Sequence, residues 1–416
     1  MNTKTVQPLS RRGFLLGATA LTVGGSLPRV LFARTAGGAR GQGIAAGASS
    51  PRLVVVILRG ALDGLAAVPP YGDPHYADLH QELAIGKPGS AGALDLDGHF
   101  GLHPSLAFLH ERYLAHELAV IHAVSSPYRE RSHFDGQAVI ENGLTSNQGS
   151  ADGWLNRTLA AWPAAPGHHG AERALGVGQN LPLILRGPEE VMSRAAQPEP
   201  DADDDLLMRL ADLYADDPWF SSRLSRAVDS QRLAPSMGAG SGRGSRLDKS
   251  ATLAGTILAL PDGPDIAVFD ATGWDTHANQ GGASGNLARH LSGLDDALKT
   301  LASTLGDRWS RTAVVVVTEF GRTAAMNGTR GTDHGTGTCC FVLGGAIAGG
   351  RVITDWPGLG PKDLFQGRDL RPTRDLRSVF KSVLGDHLQV PAEALEASVF
   401  PDSRSAGPLK GLIMGA

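Results

Sequence analysis

The stretch RTAVVVVTEFGRTAAMNGTRGTDHGTGT, from Arg311 to Thr338, joins an apolar run to an acid, an arginine and a Gly/Thr-rich loop carrying Asp333-His334. Aspartate and histidine are oxygen and nitrogen donors for divalent metals, and neither is ordinarily buried without a partner. Glu319 and Arg322 stand at the end of the apolar run, as ligand-type groups or as an ion pair capping the next helix. Asp63, in GALDG, comes after a second apolar run and is either a metal ligand or a turn aspartate that caps the next segment. Asp275 and His277, two residues apart in GWDTH, can point from an extended loop toward one ion. A further cluster, SSPYRERSHFDGQ, gathers Ser125, Ser126, Arg129, Arg131, Ser132, His133 and Asp135 ahead of an expected helix. There Ser132 with Arg129 and Arg131 suits anion chemistry at free backbone N–H groups, the alternative being that Ser132 is a plain N-cap.

The elements that must position these groups are read from hydrophobic pattern. Ala313–Val317 and the run over Arg52–Arg59 are short, β-branched and apolar on both faces, as strands of a parallel sheet covered by helices on both sides are. Leu118–Val124, Leu181–Leu185 and Ile266–Phe269 are expected to add strands, and Pro104–His116, Trp154–Trp162 and Arg374–Leu384 helices. Asn286–Leu305 is the clearest helix, with leucines at 287, 291, 294, 298, 301 and 305 along one face. His290 beside that stripe is left out of the site. Residues 69–101 are read as an ordered Pro/Gly-rich excursion, 197–217 as a solvated acidic helix or lid, and 236–245 as a flexible loop where a lobe boundary could fall. The tail from Phe400 reads as irregular, and no internal repeat is evident.

Residues 1–50 hold six basic residues and no acid, with Ser10-Arg11-Arg12-Gly13-Phe14-Leu15-Leu16 in a twin-arginine pattern ahead of a short, Gly-rich apolar stretch. We read residues 1–45 as a twin-arginine signal segment and 51–416 as a single domain, with small-residue cleavage sites between about Ala33 and Ser50. The expectation is an encounter with the Tat translocon, a periplasmic or extracellular location and no permanent membrane anchor, the leader containing no cysteine for lipid attachment. The chain has 38 basic and 42 acidic residues; without the leader's six, the basic count falls to 32. That acidic balance excludes nucleic acid as an expected partner. Cys339 and Cys340, adjacent within an apolar run, read as small core residues and not as a disulfide or thiolate site.

Together the phrases LRGALDGL, RSHFDGQ, GWDTH, TEFGRT and GTDHG resemble the twin-arginine-exported proteins classed as domain of unknown function 1501, grouped with the alkaline phosphatase and sulfatase superfamily. The resemblance covers roughly residues 52–395. It implies an α/β fold: an alkaline phosphatase-like three-layer sandwich with a mostly parallel central sheet. It implies Asp63 as the first-strand metal aspartate, Ser132 as nucleophile, Asp275 and His277 as ligands of one metal, Glu319 in place of a strand-end aspartate, and His334 as the late metal histidine. With Asp333, these make the metal set Asp63, Asp275, His277, Glu319, Asp333 and His334, and the catalytic set Ser132, Arg129 and Arg131. Two departures stand out: Phe320 comes directly after Glu319 where the superfamily has histidine, and Ser132 does not open a Cys/Ser-x-Pro-x-Arg sulfatase signature. The expected function is metal-dependent hydrolysis of phosphate or sulfate esters, small or glycan-borne, with zinc as first choice and manganese, magnesium or calcium as alternatives. The other reading is a non-catalytic binding or assembly protein that keeps the fold and works with a co-exported protein partner.

Overall fold

The computed structural model describes residues 50–147, 151–162, 173–196, 245–261 and 263–415, with isolated positions between 209 and 224. All of them belong to one compact unit, Ser49–Ala416. Among the described residues, nine strands build one sheet: β1 (Arg52–Arg59), β2 (Leu118–Ser125), β3 (Ala174–Val177), β4 (Met192–Arg194), β5 (Ile266–Thr272), β6 (Thr312–Thr318), β7 (Thr338–Leu343), β8 (Arg351–Ile353) and β9 (Arg374–Asp375). Their order is β8-β2-β7-β6-β1-β5-β3-β4, with β9 also paired to β2. Every pairing is parallel except the two made by β7, which runs antiparallel to β6 and β2. The first residues of β7 therefore meet the carboxyl ends of the other strands at one edge. Ligands of open α/β sheets collect at that edge.

The period-2 alternation of a strand divides the core into two layers. Val54, Val56 and Leu58 of β1 pack on one face, and Leu53, Val55 and Ile57 on the other. Helices cover both faces: α1 (Gly64–Ala67), α2 (Ala107–Leu114), α3 (His133–Asn142), α4 (Trp154–Ala161), α5 (Arg246–Ala259), α6 (Asn286–Leu305) and α7 (Leu376–Ser382). The leucine stripe of α6, Leu287 to Leu305, is buried with Leu253, Ala254 and Ile257 of α5. Each such leucine contributes roughly 1.5–3 kcal/mol relative to an exposed one. Leu155 and Leu159 of α4 and Val379 and Phe380 of α7 close the opposite face. The result is the expected mixed α/β sandwich with a mostly parallel central sheet. No helix among the described residues is long and apolar enough to cross a membrane.

Two expected elements differ. Leu181–Leu185 forms no strand; Leu183–Leu185 makes one 3-10 turn behind Pro182, because proline has no N–H to donate to a ladder. The expected helix over Arg374–Leu384 is divided. Arg374 and Asp375 pair with β2, and Asp375 then caps α7 by accepting from the Arg377 N–H at 2.9 Å. Residues 69–101 hold the short helix Tyr76–His80 and a two-stranded hairpin, Leu94–Asp95 with Gly101–Leu102. Cys339 and Cys340 are buried and free, as expected. The expected acidic helix or lid over 197–217 and the flexible loop over 236–245 lie outside the described residues apart from isolated positions. One of these, Ser245, caps α5 by accepting from the Asp248 N–H.

Candidate metal centre

Four segments deliver side chains to the sheet edge. The turn between β2 and α3 ends with Arg131 in the left-handed region at φ +60°, after which Ser132 occupies the N-cap and His133 opens the helix. The loop after β5 carries Asp275 and His277, β6 runs directly into Glu319, and the loop before β7 carries Asp333 and His334. Close backbone approach makes this convergence possible. Gly60 has φ +122°, and a Cβ there would lie 2.6 Å from the Asp275 nitrogen; a Cβ on Gly331 would lie 2.4 Å from the His277 carbonyl.

Three imidazoles meet at their Nε2 atoms. His334 Nε2 is 2.9 Å from His133 Nε2 and 2.9 Å from His277 Nε2. Asp275 closes the group: Oδ1 lies 3.0 Å from His277 Nε2 and 3.3 Å from His334 Nε2, and Oδ2 lies 3.4 Å from His133 Nε2. His133, Asp275 and His334 each place a ligand atom within 4.8 Å of the others.

An acceptor stands behind every ring, at Nδ1. His133 Nδ1–H donates to Glu319 Oε1 at 2.7 Å, His277 Nδ1–H to Asp333 Oδ1 at 3.2 Å, and His334 Nδ1–H to the Arg131 carbonyl at 3.0 Å. The Nε2 atoms of His133 and His277 each lie against that of His334, an arrangement of lone pairs repulsive by itself and relieved by a cation. Metal-bound histidines are held in this way, through carboxylate or carbonyl acceptors behind the ring. The donor set of three imidazoles and one carboxylate suits zinc.

Electrostatics reinforce the set. Burial pushes the Glu319 carboxyl up, but donors from His133, Gln137 Nε2 at 3.1 Å and the Gly60 N–H at 2.9 Å hold it below its ordinary value. The bond to Glu319 raises His133. Burial, and after it the neighbouring His133, lowers His334. Asp275 also resists burial and falls below its ordinary value because the fully buried Arg322 donates to Oδ1. Hydrogen bonding from Asn327 lowers Asp333.

The structure brings Asp275, His277 and His334 together at the Nε2 meeting point. Glu319 and Asp333 reach it only through His133 and His277, as acceptors behind the rings. Asp63 serves as the N-cap of α1, accepting from Leu65 and Ala66 N–H at 3.1 Å each through Oδ1, while Gln280 Nε2 donates to Oδ2 at 2.7 Å. Gln280 in turn accepts from Thr276 and Thr332 hydroxyls at 2.7 and 2.9 Å, so Asp63 touches both ligand loops at one remove. Ser132 sits at the helix N-cap but makes no side-chain cap hydrogen bond. The Arg129 guanidinium donates to the carbonyls of Ser126 and Tyr128, and that of Arg131 to Asp369 and Gln366. Phe320, the residue noted as a departure from the resemblance, stacks on the His133 ring at 5.0 Å.

His133 is the residue that sequence reasoning passed over as a ligand, since it lay among many polar neighbours in RSHFDGQ. Its signal was helical spacing: His133, Gln137 and Glu141 stand four apart on one face of α3, unusual polarity for a face turned toward the sheet.

No curated protein matches the chain. Among solved structures it is similar to Ps i-CgsB in complex with k-i-k-neocarrahexaose, at 9% identity and a TM-score of 0.40 over 86% of this chain and 75% of that one. It is also similar to the PsFucS1 sulfatase from Pseudoalteromonas sp., at 12% identity and a TM-score of 0.31 over 73% of this chain and 64% of that one. The family model described as "Protein of unknown function (DUF1501)" matches residues 50–399, most of the chain, and this protein belongs to that family.

Proposed function

We propose that this protein is an exported, metal-dependent hydrolase of phosphate or sulfate esters, with one divalent cation held by His133, His277, His334 and Asp275. The observation that carries the reading is the meeting of the His133 and His277 Nε2 atoms at His334 Nε2 beside the Asp275 carboxylate, each ring backed by an acceptor at Nδ1. A cation bound there would act as a Lewis acid toward an ester oxygen and favour ionisation of a nearby hydroxyl. The chain's own contribution centres on Ser132. Its hydroxyl is not spent on capping, and its neighbours on both sides touch the centre, Arg131 through its carbonyl and His133 through its ring. Attack by Ser132 Oγ on phosphorus or sulfur would expel the alcohol and leave a serine ester for water to cleave. The first N–H groups of α3, free of side-chain caps, would face the anionic oxygens. The twin-arginine leader supports export through the Tat translocon, and a glycan-borne ester fits an exported enzyme as well as a small one.

The test pairs metal analysis with turnover of an aryl phosphate and an aryl sulfate. Native-purified protein should carry one equivalent of a divalent ion, His334→Ala should lose it, and Ser132→Ala should keep the metal and lose turnover. Turnover retained in Ser132→Ala would remove the serine from the mechanism. A specific observation favours a second reading, a non-catalytic binding or assembly protein with a structural metal and a co-exported partner. Arg129 and Arg131 are already bonded within the protein, and Phe320 stands where the superfamily has histidine. Full metal occupancy with no turnover of either ester class supports that alternative.

A further inference from the structure

A cavity of about 250 Å³ lies at the same sheet edge, beyond the carboxyl ends of β1, β3 and β5, walled by Arg59, Glu141, Asn180, Arg186 and Asp270. Arg59 donates from Nε to Asp270 Oδ2 at 2.6 Å and from Nη1 to Gln137 and Glu141 at 3.0 and 2.8 Å. Arg186 donates from Nε to the Leu181 carbonyl. Arg59 Nη2, both Nη atoms of Arg186, Asp270 Oδ1 and the side-chain amide of Asn180 make no hydrogen bond within the protein among the described residues.

Those unused groups define a ligand. Two guanidiniums offset two carboxylates, so the wall carries no net charge. A bare anion would meet Asp270 and Glu141, and a bare cation Arg59 and Arg186. Hydroxyl groups, each both donor and acceptor, answer every polar wall group at once, and the carbon edges of a ring answer Val177, Leu181, Leu183 and Phe269, which line the cavity beside them. The volume falls below that of drug-sized clefts and suits one ring. We propose that this cavity binds a single neutral, ring-sized polyol, a sugar unit being the fitting class. Polyol binding there requires no hydrolase activity at the metal centre. His133, Gln137 and Glu141 do, however, place the cavity and the metal centre along one face of α3, roughly 12 Å apart at 1.5 Å per residue.

The experiment is calorimetric and saturation-transfer NMR titration of the whole purified protein with methyl β-galactoside, methyl α-glucoside and myo-inositol, with inorganic sulfate and phosphate as anionic probes. At least one neutral probe should saturate with Kd on the order of 1 mM, the strength expected of so small a ligand. Asn180→Leu, at an exposed position, should weaken binding at least tenfold, and Arg186→Gln severalfold, with metal content and denaturation midpoint unchanged. No saturation by any neutral probe, saturation by the anions alone, or unchanged affinity in both variants overturns the proposal. Because both substitutions lie on solvent-reaching side chains, the denaturation midpoint separates lost binding from lost fold.

Discussion

Replacing Glu319 with glutamine tests whether the centre is built from behind its ligands. The buried carboxylate accepts three N–H groups at Oε1, from Gly60, His133 and Gln137, and the Thr318 hydroxyl at Oε2. Glutamine keeps the shape. With its carbonyl at the Oε1 position, all three donors remain satisfied. Its new amide can donate to the Thr318 hydroxyl, whose single proton then serves the Leu58 carbonyl at 2.8 Å. The fold should therefore lose less than about 1 kcal/mol. The change falls on His133, whose Nδ1–H would bond to a neutral oxygen. A charge-assisted bond exceeds a neutral one by about 1–1.5 kcal/mol. The Nε2 lone pair weakens accordingly, so zinc affinity should fall about tenfold, within the range for groups behind metal ligands. The matched control is Asp333→Asn. That carboxylate is half exposed and bonds to a half-exposed His277, where water screens the same loss to about twofold. Both affinities are measured by competition against a zinc chelator, with circular dichroism confirming the fold. Equal losses in the two variants, or an unchanged affinity in Glu319→Gln, would refute the argument that buried acceptors set the ligand strength.

Three other outcomes are expected from the same structure. Burial lowers His122 to about 4, and its ring accepts from the Ala123 N–H at Nδ1 and donates to the Val68 carbonyl at Nε2. The unfolded chain binds this proton first, so stability from His122 is full above pH 6.5 and lost as pH falls toward 4. About 2 kcal/mol should be gone by pH 5, seen as a smaller pH dependence of urea unfolding in His122→Gln than in wild type. Asp63→Ala should lower unfolding stability by about 2–4 kcal/mol, from the lost cap and the stranded Gln280 donor, while metal stoichiometry in the folded protein is unchanged. Gly60→Ala should weaken both stability and metal affinity, since its φ of +122° and the 2.6 Å approach to Asp275 leave no room for a methyl group; wild-type zinc affinity in that variant would refute the packing argument.

Much of the fold was legible because it rests on periodicity. Five apolar positions in a row at β6, four of them valine, and leucines at alternating steps of three and four on α6, have one economical burial each, and both elements formed there. The exceptions arose where a single residue overrode pattern. Pro182 withheld a donor from an apolar run, and Asp375 capped a helix one residue inside its expected start.

The centre was legible to a lesser depth, for a physical reason. Composition reveals that carboxylates and imidazoles crowd the strand ends, but a carboxylate can face a cation or face the nitrogen behind a ring that faces the cation. Both placements draw on the same residue types at nearly the same spacing. Glu319 and Asp333 took the second, and Asp63 was placed at a third level, reaching the ligand loops through Gln280. The deciding factor is which ring nitrogen turns inward, set by tertiary details such as the φ of +60° that aims the Arg131 carbonyl at His334. His133 escaped notice for the converse reason. Its role depends on the neighbouring Phe320, which stacks against its ring, and on Glu319, which holds its Nδ1, and both are supplied by a strand end 186 residues away in the chain. Phe320 and Glu319 therefore act together: an apolar wall and a buried acceptor orient His133, so that its Nε2 meets that of His334 beside the Asp275 carboxylate.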